Sequence, residues 1–165
     1  MPKRDKPVSE TPATQWLKSR AVLYTEHAYN YVDHGGTAES ARQLGWSEHA
    51  VIKTLVMQDD RGQALVMLMH GDCTVSTKNL ARAIGCKSVQ PCKPEVAQRH
   101  SGYLLGGTSP FGFRKDVPIY AQATIFDLPR ILINGGKRGF LVGIEPSVLI
   151  QHLQAQPVFC SLRHH

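Results

Sequence analysis

A lysine inside an apolar segment is the strongest chemical signal in the sequence. Lys53 lies within residues 51–57, whose other members are apolar except for Thr54. Burial disfavours an ammonium group unless an anion or a carbonyl group is close. Lys53 is therefore either an edge-strand residue that reaches water or a functional group in a pocket, and this segment alone leaves both interpretations open.

A glycine-rich loop is the second candidate. Residues 102–112 contain four glycines, a proline and the hydroxyl side chains of Thr108 and Ser109. Glycines such as Gly106 and Gly107 allow positive φ angles and close approach of the backbone, so that N–H groups can form a nest for an anion or an oxyanion. The alternative is an ordinary surface loop with turn residues.

Two adjacent cations, Lys137 and Arg138, lie in a glycine frame over residues 134–139. Apolar residues precede and follow this frame, which predicts a hairpin tip that could bind phosphate. The pattern is neither a P-loop nor a dinucleotide fingerprint, because the strand and helix context of those motifs is missing. A solvated basic hairpin tip is the alternative.

Conventional nucleophile motifs are not found, including the GxSxG elbow, HExxH, a paired-carboxylate arrangement and a Cys/His pair in a known context. An enzyme built on this sequence would act without a conventional side-chain nucleophile. The four cysteines show no CxxC pair, so we expect reduced, buried thiols and no disulfide. A zinc site built from Cys73, Cys86 and Cys92 with His70 or His100 matches no closed tetrahedral spacing, and we expect no metal.

The basic charge is concentrated in the second half of the chain. Through residue 77 there are 8 basic and 9 acidic residues, a net charge of −1, whereas from Lys78 onward there are 11 and 4, a net charge of +7. A one-sided basic surface attracts polyanions and favours nucleic acid as a partner. A basic surface that serves only solubility is the alternative.

The helices and strands predicted from the sequence indicate a single α+β domain over residues 11–165. Residues 1–10, which precede it, are predicted to be a disordered N-terminal tail. We expect a mixed, curved or barrel-like sheet flanked by helices. With no apolar segment near 20 residues and no signal peptide, a cytoplasmic protein is expected. Predicted helices begin after Thr11, Thr37 and Ser76 and at Pro94, and a last one covers residues 146–153. Predicted strands cover residues 24–31, 51–58, 64–70, 117–121, 131–134 and 140–144.

The order and spacing of four segments, residues 51–56, 96–99, 102–112 and 135–139, resemble the YbaK family, the editing domain associated with bacterial prolyl-tRNA synthetase. The resemblance runs from about residue 11 to residue 153. It implies a freestanding aminoacyl-tRNA deacylase that clears mischarged tRNA(Pro) or related tRNAs, with a sheet-centred pocket and no metal or organic cofactor.

The resemblance also implies roles for individual residues. Lys53 corresponds to the key pocket lysine and is the catalytic candidate. Lys137 and Arg138 would bind tRNA phosphates at the acceptor end. The substrate-binding candidates are Tyr29, Thr54, Gly106, Gly107, Ser109, Gly135, Gly136 and Leu141.

An aminoacyl ester is already activated, so polarisation of its carbonyl by Lys53 and backbone N–H groups can suffice for hydrolysis. Leu141 stands where the cysteine-clearing type has an aspartate, which favours serine or threonine as the substrate amino acid and places cysteine or alanine second. In the cysteine case the substrate thiol would attack the ester. The resemblance also implies prolyl-tRNA synthetase as a candidate partner. Two other functions remain alternatives: a non-catalytic RNA-binding module and a Schiff-base enzyme that uses Lys53.

Overall fold

The computed structural model describes residues 10–163, so residues 1–9 of the predicted tail lie outside the described residues. Over these described residues, five helices and ten strands follow one another, with two 3-10 turns at Glu48–Ala50 and Ala123–Asp127. The helices are α1 Pro12–Ser19, α2 Gly36–Leu44, α3 Thr77–Ile84, α4 Pro94–Ser101 and α5 Ser147–Leu153. The strands are β1 Thr25–Ala28, β2 Val51–Asp59, β3 Ala64–His70, β4 Cys73–Val75, β5 Val89–Pro91, β6 Ile119–Gln122, β7 Ile131–Lys137, β8 Phe140–Ile144, β9 Gln156–Val158 and β10 Ser161–Arg163.

Side-chain caps begin two of the five helices, α1 and α3. The Thr11 side chain accepts a hydrogen bond from the Thr14 backbone N–H at 3.0 Å, and Ser76 likewise caps α3 through Asn79 at 3.1 Å. The prediction that Thr37 caps α2 is wrong, because α2 already begins at Gly36. The Thr37 hydroxyl instead donates to the Glu48 carboxylate at 2.8 Å, a contact with a distant turn that no local signal shows.

A mixed sheet organises the molecule, and the predicted α+β class is confirmed. Its strand order is β1-β8-β7-β2-β3-β6-β9, with β5 added beside β2. The hairpins β2–β3 and β7–β8 are antiparallel, whereas β2 with β7, β3 with β6 and β6 with β9 are parallel. The barrel-like alternative is not realised within residues 10–163, because the short edge strands β1 and β9 do not pair with each other.

Strand β3 lies at the centre of the core, and all seven of its residues are buried. Val66 and Leu68 face one apolar cluster, whereas Met67 and Met69 face another, so both sides of the strand are covered. This matches the continuous apolar pattern of a doubly covered strand. Strand β4 stands apart from this sheet and pairs with β10.

Four strands were not predicted from the sequence: β4, β5, β9 and β10. Each has three residues, too few to show a period of two. Their pairing partners are distant in the chain, so only the folded structure brings them into a ladder.

Candidate active site

A cavity of about 470 Å³ opens beside β2. It is bounded by α2, by the segment that follows β1, and by the two glycine-bearing loops around residues 105–108 and 134–138. Six of the eleven predicted site residues line it: Tyr29, Lys53, Thr54, Gly106, Arg138 and Leu141. The structure therefore brings together residues from four separate parts of the sequence.

Lys53 is half-buried at this cavity, and its ammonium group donates a hydrogen bond to the backbone carbonyl of Cys73. Strand β2 as a whole is not an edge strand, because β7 and β5 pair with it on the side away from β3. Lys53 itself pairs only with Met69 of β3, in the gap between those two pairings. Burial lowers the Lys53 pKa from its usual value, and the negative groups around it, including the Glu48 and Asp72 carboxylates, oppose that shift. The ammonium therefore lies in a partly desolvated pocket with carboxylates close enough to favour its charge.

The cavity wall opposite β2 consists of two loops that bind each other. The Asn134 side-chain amide donates to the Gly106 carbonyl at 3.0 Å, and Arg138 Nε donates to the Leu105 carbonyl at 2.7 Å. The Arg138 guanidinium also lies 5.1 Å from the centre of the Tyr31 ring. Arg138 is thus part of the wall as well as an exposed cation.

The remaining glycines support this wall from behind. A Cβ at Gly107 would lie 3.0 Å from the Arg138 backbone nitrogen, so Gly107 allows the two loops to touch. Gly135 and Gly136 do not line the cavity either. Their Cβ positions would meet the Phe140 ring at 2.5 Å and the Tyr103 ring at 2.9 Å respectively. Loop packing gives a structural reason for glycine at each of these three positions.

Ser109 is fully buried and does not line the cavity. Its hydroxyl accepts a hydrogen bond from the Phe111 backbone N–H at 3.2 Å, as in a serine turn. The sequence predicted that Ser109 contacts the substrate. The hydrogen bond within this turn gives a structural reason for a serine at position 109. Thr108, its neighbour, does line the cavity.

An apolar surface and a hydroxyl make up the part of the cavity near β2. Leu141 is 5% exposed and packs with Val51, Leu132 and Ala41. Thr54 also lines the cavity, and its Oγ1 is buried without a hydrogen-bond partner among residues 10–163. An unsatisfied buried hydroxyl is costly, so a site that keeps one has a polar group available for a ligand.

Lys137 is exposed outside the cavity lining, on the same hairpin tip as Arg138. No hydrogen bond or ion pair holds its side chain within the described part of the chain, whereas Arg138 is held by Leu105. The two predicted phosphate-binding cations therefore differ: Lys137 is a free surface charge and Arg138 a wall residue.

The cysteines that the sequence analysis considered and discounted as zinc ligands do not lie together as a metal-sized group within residues 10–163. Cys73 and Cys160 are buried, Cys86 and Cys92 are half-buried, and all four are free. Within residues 10–163, the group close enough for a metal ion is instead His49, Asp72 and Cys73, with ligand atoms within 4.8 Å of one another. The Asp72 carboxylate is already bound by His49 at 2.8 Å and lies 3.7 Å from the Arg163 guanidinium. We assign no metal to this group, since its carboxylate has two cationic or hydrogen-bonding partners.

Sequence reasoning missed the polar groups around Lys53: Thr37, Glu48 and Asp72. No spacing rule connects them, because they come from α2, the turn before β2 and the turn before β4. Asn134 is different, since its Oδ1 accepts from the Gly136 and Lys137 backbone N–H groups at 2.7 and 3.1 Å. An asparagine before two glycines is a recognisable turn signal and could have identified it.

Comparison with known proteins gives a consistent result. A family model described as an aminoacyl-tRNA editing domain matches residues 34–151, which confirms the resemblance based on the motifs. A protein of Enterococcus faecalis, provisionally named a Cys-tRNA(Pro)/Cys-tRNA(Cys) deacylase, EbsC, is 27% identical over 154 residues, 93% of this chain and 94% of that protein. A proline–tRNA ligase of Streptococcus equi subsp. zooepidemicus is 29% identical over 110 residues, 66% of this chain but 18% of the ligase.

Among solved structures, one provisionally described as a trans-editing enzyme for prolyl-tRNA synthetase superposes with a TM-score of 0.81. It is 20% identical, and the match covers 98% of this chain and 100% of the other. At that identity the superposition supports the fold. None of the helices over residues 10–163 has the length and apolar character to cross a bilayer.

Proposed function

The chain belongs to the aminoacyl-tRNA editing domain family, and on that premise we propose that its cavity binds the aminoacyl ester of a mischarged tRNA and hydrolyses it. In this role the chain is a trans-editing aminoacyl-tRNA deacylase that maintains the fidelity of translation. The observation that carries the proposal is the half-buried Lys53 ammonium at the floor of a cavity with a glycine-loop wall.

Lys53 is the proposed catalytic residue. An ammonium group has three N–H donors, and the Cys73 carbonyl occupies one of them. The others can bind the ester carbonyl oxygen and stabilise the negative charge that develops there when the carbonyl carbon is attacked. The partly desolvated setting strengthens that interaction relative to water.

The attacking group is proposed to be water or a group of the substrate itself. Among the described residues, the only histidine that lines the cavity is His34, which is exposed. The Thr37 hydroxyl also lines the cavity, but it already donates a hydrogen bond to the Glu48 carboxylate at 2.8 Å. Water adds to the ester carbonyl carbon, the bond to the ribose oxygen breaks, and that oxygen leaves with a proton. The free amino acid and the intact tRNA are the products.

We propose serine or threonine as the preferred amino acid, with cysteine or alanine second. Leu141 makes one side of the cavity apolar and supplies no charge, whereas the unpartnered Thr54 hydroxyl can read a substrate hydroxyl after a rotation about χ1. The name of the Enterococcus faecalis relative favours cysteine, whose own thiol could attack the ester. The two assignments make opposite predictions for a panel of substrates.

The proposed partner is the acceptor end of mischarged tRNA, with Lys137 and Arg138 at its phosphates. Residues 11–165 would form the editing domain and act in the cytoplasm. The similarity to part of a proline–tRNA ligase supports prolyl-tRNA synthetase as a further partner. A non-catalytic RNA-binding module shares the basic surface, but it gives no role to a half-buried lysine that lines the cavity.

The decisive test is Lys53→Ala, assayed for deacylation of tRNA(Pro), tRNA(Ser) and tRNA(Thr) carrying different small amino acids. Loss of one oxyanion donor is expected to reduce turnover roughly 10²-fold or more, while circular dichroism reports a folded protein. Lys18→Ala, an exposed lysine of α1, is the matched control and should behave as the wild type. Near-normal turnover by a folded Lys53→Ala protein would overturn the assignment, and a covalent borohydride adduct at Lys53 would point to Schiff-base chemistry instead.

A further inference from the structure

The carbonyl that holds Lys53 belongs to a strand outside the main sheet. Cys73 is the first residue of β4, and β4 pairs with the C-terminal strand β10, with Cys73 opposite Arg163. Thr74 and Val75 are paired with Leu162 and Ser161 in the same ladder. The position of the Cys73 carbonyl, and with it the position of the ammonium, therefore depends on the pairing of β4 with β10.

The residue before Cys73 is fixed from three directions. Asp72 Oδ1 lies 2.8 Å from His49 Nδ1 and 3.5 Å from the Cys73 thiol, and Oδ2 lies 3.7 Å from the Arg163 guanidinium. The His49 ring in turn stacks on His70 with 3.6 Å between ring centres. His70 is buried, and both of its ring nitrogens have hydrogen-bond partners, so this support is rigid.

Strand β10 lies beyond residues 34–151, the segment that matches the family model. We propose that β4, β10 and the Asp72 side chain form a C-terminal clamp that positions the Lys53 ammonium for deacylation. The clamp comprises β4, β10 and the Asp72 side chain, and it rests on the proposed role of Lys53. Asp72 and β10 act through Lys53 and do not touch the substrate cavity.

The charges around Lys53 give the clamp a measurable signature. The groups that face the ammonium are the Glu48 and Asp72 carboxylates and the Cys73 thiol. Asp72 in turn faces His49 and Arg163, and His70 lies behind His49. The Asp72 carboxylate favours the charged form of Lys53, so neutralising Asp72 should lower the Lys53 pKa further. The alkaline limb of the activity profile should then move to lower pH.

The first experiment breaks the β4–β10 ladder without removing a core side chain. Leu162 is 51% exposed, so Leu162→Pro disturbs the strand while Leu162→Ala is its matched control. Displacement of the ammonium by a fraction of an ångström or more is expected to lower kcat roughly tenfold to a hundredfold with little change in KM. Leu162→Ala should keep the wild-type values.

The second experiment changes the charge alone. Asp72→Asn should lower kcat and shift the alkaline limb to lower pH, and the Lys53 pKa read from the ¹³Cε chemical shift of labelled lysine should fall in the same variant. Asp116→Asn is the control, since Asp116 is an exposed carboxylate outside the lining of the Lys53 cavity. The chemical shift needs no activity, so it still tests the clamp if Leu162→Pro fails to fold.

Two failures are distinguishable. Wild-type kcat, pH profile and Lys53 chemical shift in both Leu162→Pro and Asp72→Asn would overturn the clamp while leaving Lys53 as the catalytic residue. Normal turnover by Lys53→Ala would overturn the proposed function itself.

Discussion

Replacing Thr54 with valine tests whether the structure has identified the polar group that reads the substrate. Thr54 lies in β2 opposite Leu68, and its Oγ1 is buried without a partner among residues 10–163. Valine has nearly the same shape and no hydroxyl. The substitution therefore removes a buried unsatisfied group without opening a void.

The expected change in stability is a gain. A buried hydroxyl without a hydrogen bond costs about 1–3 kcal/mol relative to a bonded one, so Thr54→Val should stabilise the fold by about 1 kcal/mol. For a domain of this size that corresponds to a rise in Tm of about 2–4 °C. Thr14→Val is the matched control, since the Thr14 hydroxyl is buried and donates to the Thr11 carbonyl at 3.1 Å. That variant should lose stability.

The expected change in activity is a loss of discrimination. If Thr54 hydrogen-bonds a substrate hydroxyl, the ratio of kcat/KM for serine over alanine on one tRNA should fall about twofold to tenfold, the factor that a net hydrogen bond of about 0.5–1.5 kcal/mol provides. Thermal unfolding and deacylation assays on the same preparations measure both effects. A lower Tm for Thr54→Val would show that the hydroxyl is bonded in solution, and an unchanged serine-to-alanine ratio would remove Thr54 from the recognition of substrate.

Lys137→Ala should lower the slope of log affinity for tRNA against log salt by about 0.7, the value for one contact to a single strand, and an unchanged slope would place Lys137 off the RNA path. Arg138→Ala should in addition raise KM, because Arg138 also holds the cavity wall through the Leu105 carbonyl. Deacylation activity should survive treatment with a chelator, and elemental analysis should find no stoichiometric zinc. A strong loss of activity in the chelator that added zinc restores would assign a metal to His49, Asp72 and Cys73. Serine and threonine should be cleared faster than cysteine from one tRNA, and a tenfold preference for cysteine would overturn the inference from Leu141.

The helices and the central hairpin could be predicted because their signals are local. Thr11 and Ser76 accept hydrogen bonds from residues three positions later, and Gly85 ends α3 in the left-handed conformation with a φ of 81°. The apolar segments on either side of residues 59–62 became β2 and β3, with small differences at their ends. Each of these features depends on neighbours within a few positions.

The glycine loops were located from the sequence, but the roles of individual residues within them were not. Gly106 and Arg138 line the cavity, whereas Gly107, Gly135 and Ser109 serve the packing of the loops. Composition shows that a loop can approach a ligand, but which side of the backbone faces the cavity depends on how two distant loops dock. That docking is a tertiary property.

By itself, the sequence determined that a lysine in an apolar strand must either reach water or have a polar partner, because burial of an ammonium group without one is too costly. Only the tertiary structure decided that this partner is the Cys73 carbonyl, with Glu48 and Asp72 nearby. The strand that carries the carbonyl is held by β10, whose Leu162 lies 88 residues after its contact Thr74. A three-residue strand has no periodic signal of its own, and its pairing is fixed by contacts that form when the rest of the chain has folded.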